Sequence, residues 1–137
     1  MSLMGVFEVS GSALSAQIVR LNVTSSNLAN AETVSSSIDK TYRARQPMFA
    51  ALVDRFSDNP AMVGVQVKGI VESQAELPMR YQPDHPLANE DGYIFLPNVN
   101  PIEEMANMIS ASRSYQNNVA VMNTSKQMLQ ATLRLGQ

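Results

Sequence analysis

Cysteine and tryptophan are absent from the chain, and histidine occurs once. Without thiols there is no disulfide framework, no thiolate metal site and no cysteine nucleophile, and nothing marks a redox compartment. A single histidine excludes any site built on two imidazoles. Charge is also scarce. Only 16% of the 137 residues are charged and the net charge is -2, so no basic surface for nucleic acid or anionic lipid is expected. No apolar run approaches the roughly 20 residues of a membrane span. Met1 to Glu8 has no basic start, and Val6, Phe7 and Val9 make too short a run for a cleavable secretory signal. If the protein works outside the cytoplasm, it leaves by a route that does not read such a signal. What remains is a chain with 45% hydrophobic residues, one domain's worth of sequence or one domain with long extensions.

Three parts are expected: an N-terminal helix over 1–33, a middle β and loop region over 34–99, and a C-terminal helix over 100–137. In the first, Phe7, Leu14, Leu21 and Leu28 recur every seven residues, with Gly11, Ile18 and Ser25 between them at the alternating spacing. That is a narrow, partly filled heptad seam. A helix from Gly5 to Glu32 would be about 42 Å long at about 1.5 Å per residue. Ser10, Ser12, Ser15, Asn22, Thr24, Ser25, Ser26, Asn27 and Asn30 all compete for backbone hydrogen bonds. Such a helix needs its seam covered by a partner.

The last part carries better helix signals. Asn100 is an N-cap, Pro101 suits the first helical position and Glu103 sits where a capping box places its acid. Lys126 and Arg134 lie toward the negative end of the helix dipole. Its seam reads Met105, Met108, Ser112, Tyr115, Val119, Met122, Lys126, Leu129 and Leu133, with Gly136 as the expected stop. Between the helices, Val63, Val65 and Val67 alternate with polar residues as in a half-buried strand, and Tyr93 to Leu96 after Asp91-Gly92 reads as a second strand. Tyr42 to Phe49 is a weaker extended segment with Pro47 inside it, which argues for an edge or a loop. Met48 to Phe56 alternatively forms a short helix. The expected fold is therefore α+β: long terminal helices forming a coiled-coil bundle around a small, irregular β-containing middle.

No catalytic constellation is assembled. His85, in Pro83-Asp84-His85-Pro86, is the one candidate base, but turn chemistry explains it better and no nucleophile can be assigned beside it. Asp84, Glu90 and Asp91 do not have the spacing of a calcium loop. Gly64 and Gly69 sit inside a strand pattern, not in a phosphate loop. Tyr42, Arg43 and Arg45 are too few for a nucleic-acid surface. No cofactor, metal or catalytic residue is expected. The methionine-rich C-terminal seam fits two readings, an intramolecular hairpin with the first helix or a bundle shared with other subunits. Uncharged faces lean toward the second, since they pack without stranding ions.

The stretch Ser26-Asn27-Leu28-Ala29-Asn30-Ala31-Glu32-Thr33 resembles the N-terminal signature of the bacterial flagellar axial proteins of rod, hook and hook-associated structures. Ala29, Asn30 and Thr33 match its Ala-Asn-x-x-Thr core. Leu96 to Met105, Met108 to Tyr115, Val121 to Thr124 and Lys126 to Leu129 resemble the C-terminal signature of a proximal-rod subunit. Tyr42 to Pro47 and Pro83 to Pro86 are similar as well. One departure is that Val34-Ser35-Ser36-Ser37 stands where many members have Pro-Gly and an aromatic residue.

The resemblance implies a structural subunit of the torque-transmitting rod that crosses the periplasm. It implies export unfolded through the flagellar type III apparatus and assembly through the terminal helices. Implied partners are other rod subunits, copies of the chain itself, membrane-ring or export-gate components, and rod-cap or hook-basal components. Neither nucleic acid nor a direct membrane span is implied. Leu14, Ile18, Leu21, Leu28, Met105, Met108, Tyr115, Val119, Met122, Leu129 and Leu133 are the expected axial interface. A soluble helical adaptor or export chaperone is the competing class, and an enzyme using His85 the third.

Overall fold

The computed structural model of the chain describes residues 3–52 and 63–135. Helix α1 spans Leu3–Asn30, and a single 3-10 turn follows at Ile38–Lys40. Strands β1 (Arg45–Leu52) and β2 (Gly64–Glu72) come next, then β3 (Met79–Tyr81) and β4 (Tyr93–Phe95). Helix α2 closes the series over Pro101–Leu135. Two long helices thus flank a small antiparallel strand region, an α+β arrangement. Among the described residues, no helix is long and apolar enough to cross a membrane.

Several polar side chains of α1 find partners inside the helix. Hydroxyls of Ser12, Ser15 and Thr24, and the Asn30 amide, donate to carbonyls three or four residues back at Val9, Gly11, Arg20 with Leu21, and Ser26. Groups able to compete with the helix therefore double its own hydrogen bonds. At its end the Thr33 backbone N–H and hydroxyl both donate to the Asn30 carbonyl, at 3.2 and 2.8 Å. The start of α2 follows the sequence expectation at Asn100, whose Oδ1 accepts the Ile102 N–H at 3.1 Å while its carbonyl accepts that of Glu104 at 3.0 Å. Glu103 makes no reciprocal bond, so the expected capping box is absent and Glu103 faces solvent. The expected stop at Gly136 lies outside the described residues.

The helices run antiparallel within one chain. Asn27 bonds Glu104 while Arg20, two turns earlier in α1, bonds Asn107 further along α2. Their meeting faces differ from the expected seams by about one residue. The covered positions are Ser10, Ala16, Val23, Thr24 and Asn27 on α1, and Glu104, Ala111 and Ser125 on α2. Leu14, Leu21 and Leu28 flank this line half-buried, as do Met108, Tyr115, Val119, Met122 and Leu129. Ile18, Ser25, Met105, Lys126 and Leu133 of the expected seams are exposed. Small and polar residues let the two backbones approach closely, so the chain closes on its narrow rows and holds its bulky rows to the sides.

The middle region forms two separate two-stranded sheets. β1 pairs with β2 from Arg45↔Glu72 to Leu52↔Gly64, with a register shift between Met48 and Phe49. Pro47 opposes Ile70 in this ribbon, where both strands are edges and a missing N–H is tolerated. The alternative short helix is excluded over Met48 to Leu52, while its remainder lies outside the described residues. Ser12 fastens the ribbon to α1, its Oγ accepting the Val65 N–H at 3.1 Å. Val65 and Val67 are half-buried between exposed Gln66 and Lys68, but Ile70 and Val71 are exposed, so the alternation fades along β2. β3, absent from the sequence reading, pairs with β4 from Met79↔Phe95 to Tyr81↔Tyr93. Ser35 bridges to Phe95 on the far side of β4. Ile94 and Phe95 are the largest apolar residues in the core.

Gly92 ends the turn before β4 with φ near +80°, and a Cβ there would lie 2.9 Å from the Tyr81 ring. Replacing Gly92 with Ala is expected to cost about 1–3 kcal/mol through left-handed strain and this clash. Urea unfolding measures it, and an unchanged midpoint would refute the assignment.

Candidate functional site: the junction of the terminal helices

The motif stretch at the end of α1 supplies a buried side chain whose hydrogen-bonding capacity is fully used. Asn27 is 1% exposed. Its Oδ1 accepts the Tyr42 hydroxyl and the Arg45 backbone N–H, each at 2.9 Å. Its Nδ2 donates to the Arg45 carbonyl at 2.8 Å and to Glu104 Oε2 at 3.0 Å. Two donors and two acceptors are all a primary amide has. Asn27 is saturated, and its partners come from α1's successor segment, the first residue of β1 and the first turn of α2.

Around it the network continues outward. The Tyr42 hydroxyl spends its proton on Asn27, so Ser26 Oγ donates to it at 3.2 Å. The Arg45 guanidinium stands 5.4 Å from the Tyr42 ring centre and pairs with Glu72 at 3.0 Å. Those two side chains are about half exposed, which limits the ion pair to roughly 1 kcal/mol or less. Asn98 performs a smaller version of the same task, accepting the Ala44 N–H at 2.8 Å and donating to the Ala75 carbonyl at 3.0 Å. Arg43 donates to the Ser73 and Ala75 carbonyls. Together they tie the segment between β2 and β3 to the base of α2.

Two clefts border the junction. One of about 630 Å³ lies between the end of α1 and β1, with Thr33, Lys40, Arg43 and Glu72 on its walls. The other, about 420 Å³, opens between α1, β1 and α2 beside Arg20, Phe49, Glu103 and Asn107. Neither holds His85. That residue is half-buried in its own turn, where Nδ1 accepts the Leu87 N–H at 3.1 Å. The ring is thus part of the turn, in keeping with the turn chemistry expected of this stretch. What the junction can do is mechanical: it sets the angle at which two helices leave a β ribbon.

Of the motif residues, Asn27 is buried, Ser26, Leu28 and Asn30 are half-buried, and Ala29 and Thr33 are exposed. Asn30 and Thr33 act on the helix end and Asn27 joins the segments. Sequence reasoning missed Tyr42, Arg45 and Glu104 as the partners of Asn27, and Asn98 as the tie between Ala44 and Ala75. No local spacing links Asn27 to Tyr42 or Asn98. Glu104 had a signal: with Ala111, Asn118 and Ser125 it forms a seven-residue row of small and polar groups, the row that α2 turns toward α1.

Asn27→Ala strands the Arg45 backbone groups and the buried Glu104 carboxylate, and is expected to cost about 3 kcal/mol or more. Tyr42→Phe removes two neutral bonds, to Asn27 and Ser26, and is expected to cost about 1–2 kcal/mol. Denaturant midpoints of the two variants test the order, and equal losses would contradict the central place of Asn27.

Comparison with known proteins agrees with this layout. Residues 7–34 match the family described as "Flagella basal body rod protein", and residues 90–135 match "Flagellar basal body rod FlgEFG protein C-terminal". These regions contain most of α1 and all of α2. The flagellar basal-body rod protein FlgC of Salmonella typhimurium is 48% identical over 137 residues, covering 100% of both chains. That of Yersinia enterocolitica is 46% identical over the same full length. The homologue from Borreliella burgdorferi is 36% identical, covering 98% of each chain. With full-length identity at this level and both terminal signatures matched, the chain belongs to the FlgC family of structural flagellar basal-body rod proteins.

Proposed function

We propose that the chain is a non-catalytic building block of the proximal rod, and that neighbouring subunits cover the bulky helix rows its own fold leaves to the sides. The observation carrying this reading is the choice of packing face. α1 and α2 meet through Ala16, Val23, Ala111 and Ser125, while Ile18, Met105, Ile109 and Leu133 are between 45% and 65% exposed. Exposed apolar groups along both helices are costly in a free subunit, at roughly 25 cal/mol per Å² of surface left in water. Burying them between subunits recovers that free energy and offsets the ordering of two helices, about 1–2 kcal/mol per residue for the backbone.

The three-part division follows function in this reading. Segments 1–33 and 100–137 form the axial part, and 34–99 faces outward. Leu14, Ile18, Leu21, Leu28, Met105, Met108, Tyr115, Val119, Met122, Leu129 and Leu133 form the packing surface toward other rod subunits and copies of the chain. Contacts with membrane-ring or export-gate components and with rod-cap or hook-basal components complete the shaft at its ends. The subunit travels unfolded through the type III apparatus, and its termini gain full order on assembly. The junction at Asn27 then transmits torque between the axial helices and the outer region as one rigid piece.

Leu21→Asp and Val119→Asp each place a charge on this packing surface. Both are expected to abolish rods, hooks and filaments in electron micrographs of basal bodies while the subunit is still synthesised. Normal rods from either variant would count against the interface. Hydrogen exchange on the isolated chain supplies the second test: amides of α1 and α2 should exchange markedly faster than in the assembled rod. Equal protection in both states would contradict ordering on assembly.

A further inference from the structure

We propose that the face of the β3–β4 sheet carrying Met79, Tyr81 and Tyr93 is a docking surface for an arginine-bearing segment of another protein. Tyr81 and Tyr93 are partners across the two strands, with ring centres 5.2 Å apart and planes inclined by 63°. Such edge-to-face pairs are normally core features, yet Tyr81 is 62% exposed and Met79, two residues away on the same face, is 63% exposed. Tyr93 is exposed as well.

The platform is held in place from behind. The Tyr81 ring rests against Gly92 so closely that a Cβ there would stand 2.9 Å from it, and Pro83 lies beside the same glycine. The turn beneath is fastened by Asn89, whose Oδ1 accepts the Asp91 and Tyr93 N–H groups at 3.1 and 2.8 Å. An exposed aromatic fixed in this way loses little conformational entropy when a partner covers it. Tyrosine, methionine and arginine are the residues that protein interfaces concentrate in their cores.

Charge decides the kind of partner. Asp84 shares with Tyr81 and His85 the wall of a cleft of about 440 Å³. Glu90 and Asp91 belong to the turn that supports the ring, and all three carboxylates are exposed. Among the described residues the one ion pair is Arg45–Glu72, so none of these three has a cationic partner. Arg80, opposite Ile94 in the pairing, is set on the other face of the sheet by strand alternation. A π face beside unpaired carboxylates suits a guanidinium, which stacks on the ring and bonds the acids at its edge. A neutral sugar would use the ring and leave the carboxylates unanswered.

Titration of the isotope-labelled full chain with an acetylated Arg-Gly-Arg-Gly-Arg amide, followed by NMR, tests the surface. The expected result is saturable shifts confined to Met79–Tyr93. The double variant Asp84→Asn/Asp91→Asn, which keeps the platform, should bind about tenfold more weakly, the factor that 1.4 kcal/mol represents. Tyr81→Leu should lose binding in the same sense. Shifts of equal size with citrulline in place of arginine, shifts spread over the whole surface, or no saturable shift would each overturn the proposal. So would saturable binding of an N-acetylglucosamine trimer at these residues in place of the peptide. The experiment uses the unassembled chain, so its outcome is separate from that of the rod-assembly variants.

Discussion

One side-chain amide holds the molecule's three segments in register. Asn27 faces Tyr42 and Arg45 on one side and Glu104 on the other, residues up to 77 positions away, and every bond it can form is used. In a buried site each of those bonds is hard to lose, because the group left behind has no water to turn to. Apolar packing near the junction is made of small groups and is tolerant of sliding. A saturated amide is not. The relative placement of α1, the β1–β2 ribbon and α2 depends on this constraint.

That division of labour suits a subunit of a shaft. Specific angles come from polar bonds at one end of the helix pair, and the helices beyond meet through Ala16, Val23, Ala111 and Ser125. Close approach through small residues leaves bulky side chains such as Ile18, Met105 and Leu133 on the flanks. A chain that had buried its leucines and methionines in its own core would be a more stable monomer and a poorer building block. The same economy marks the second sheet, whose tyrosines stand outside the core that Ile94 and Phe95 fill.

The two terminal family signatures correspond to physical tasks. At the N-terminal one, Asn30 and Thr33 finish α1 while Asn27 recruits the rest of the chain. At the C-terminal one, Asn98 and Asn100 act one after the other, the first binding the middle region and the second capping α2. The Val34-Ser35-Ser36-Ser37 departure also has a role, since Ser35 extends the second sheet by bridging to Phe95.

Much of this was legible in the residues. Both helices, the cap at Asn100, the strand around Val65 and Val67, and the strand after Asp91-Gly92 follow from period, capping and turn chemistry, which are local. The sequence also carried the polar, uncharged character of α1. Tertiary structure decided the rest. Which stripe of each helix turns inward was settled by how closely two backbones can approach, so the small rows won over the heptad of Leu14, Leu21 and Leu28. β3 is three residues long and exists only because β4 pairs with it. Asn27 reads as one polar residue among many until the chain returns Tyr42, Arg45 and Glu104 to it, and no spacing along a sequence encodes a meeting across 77 residues.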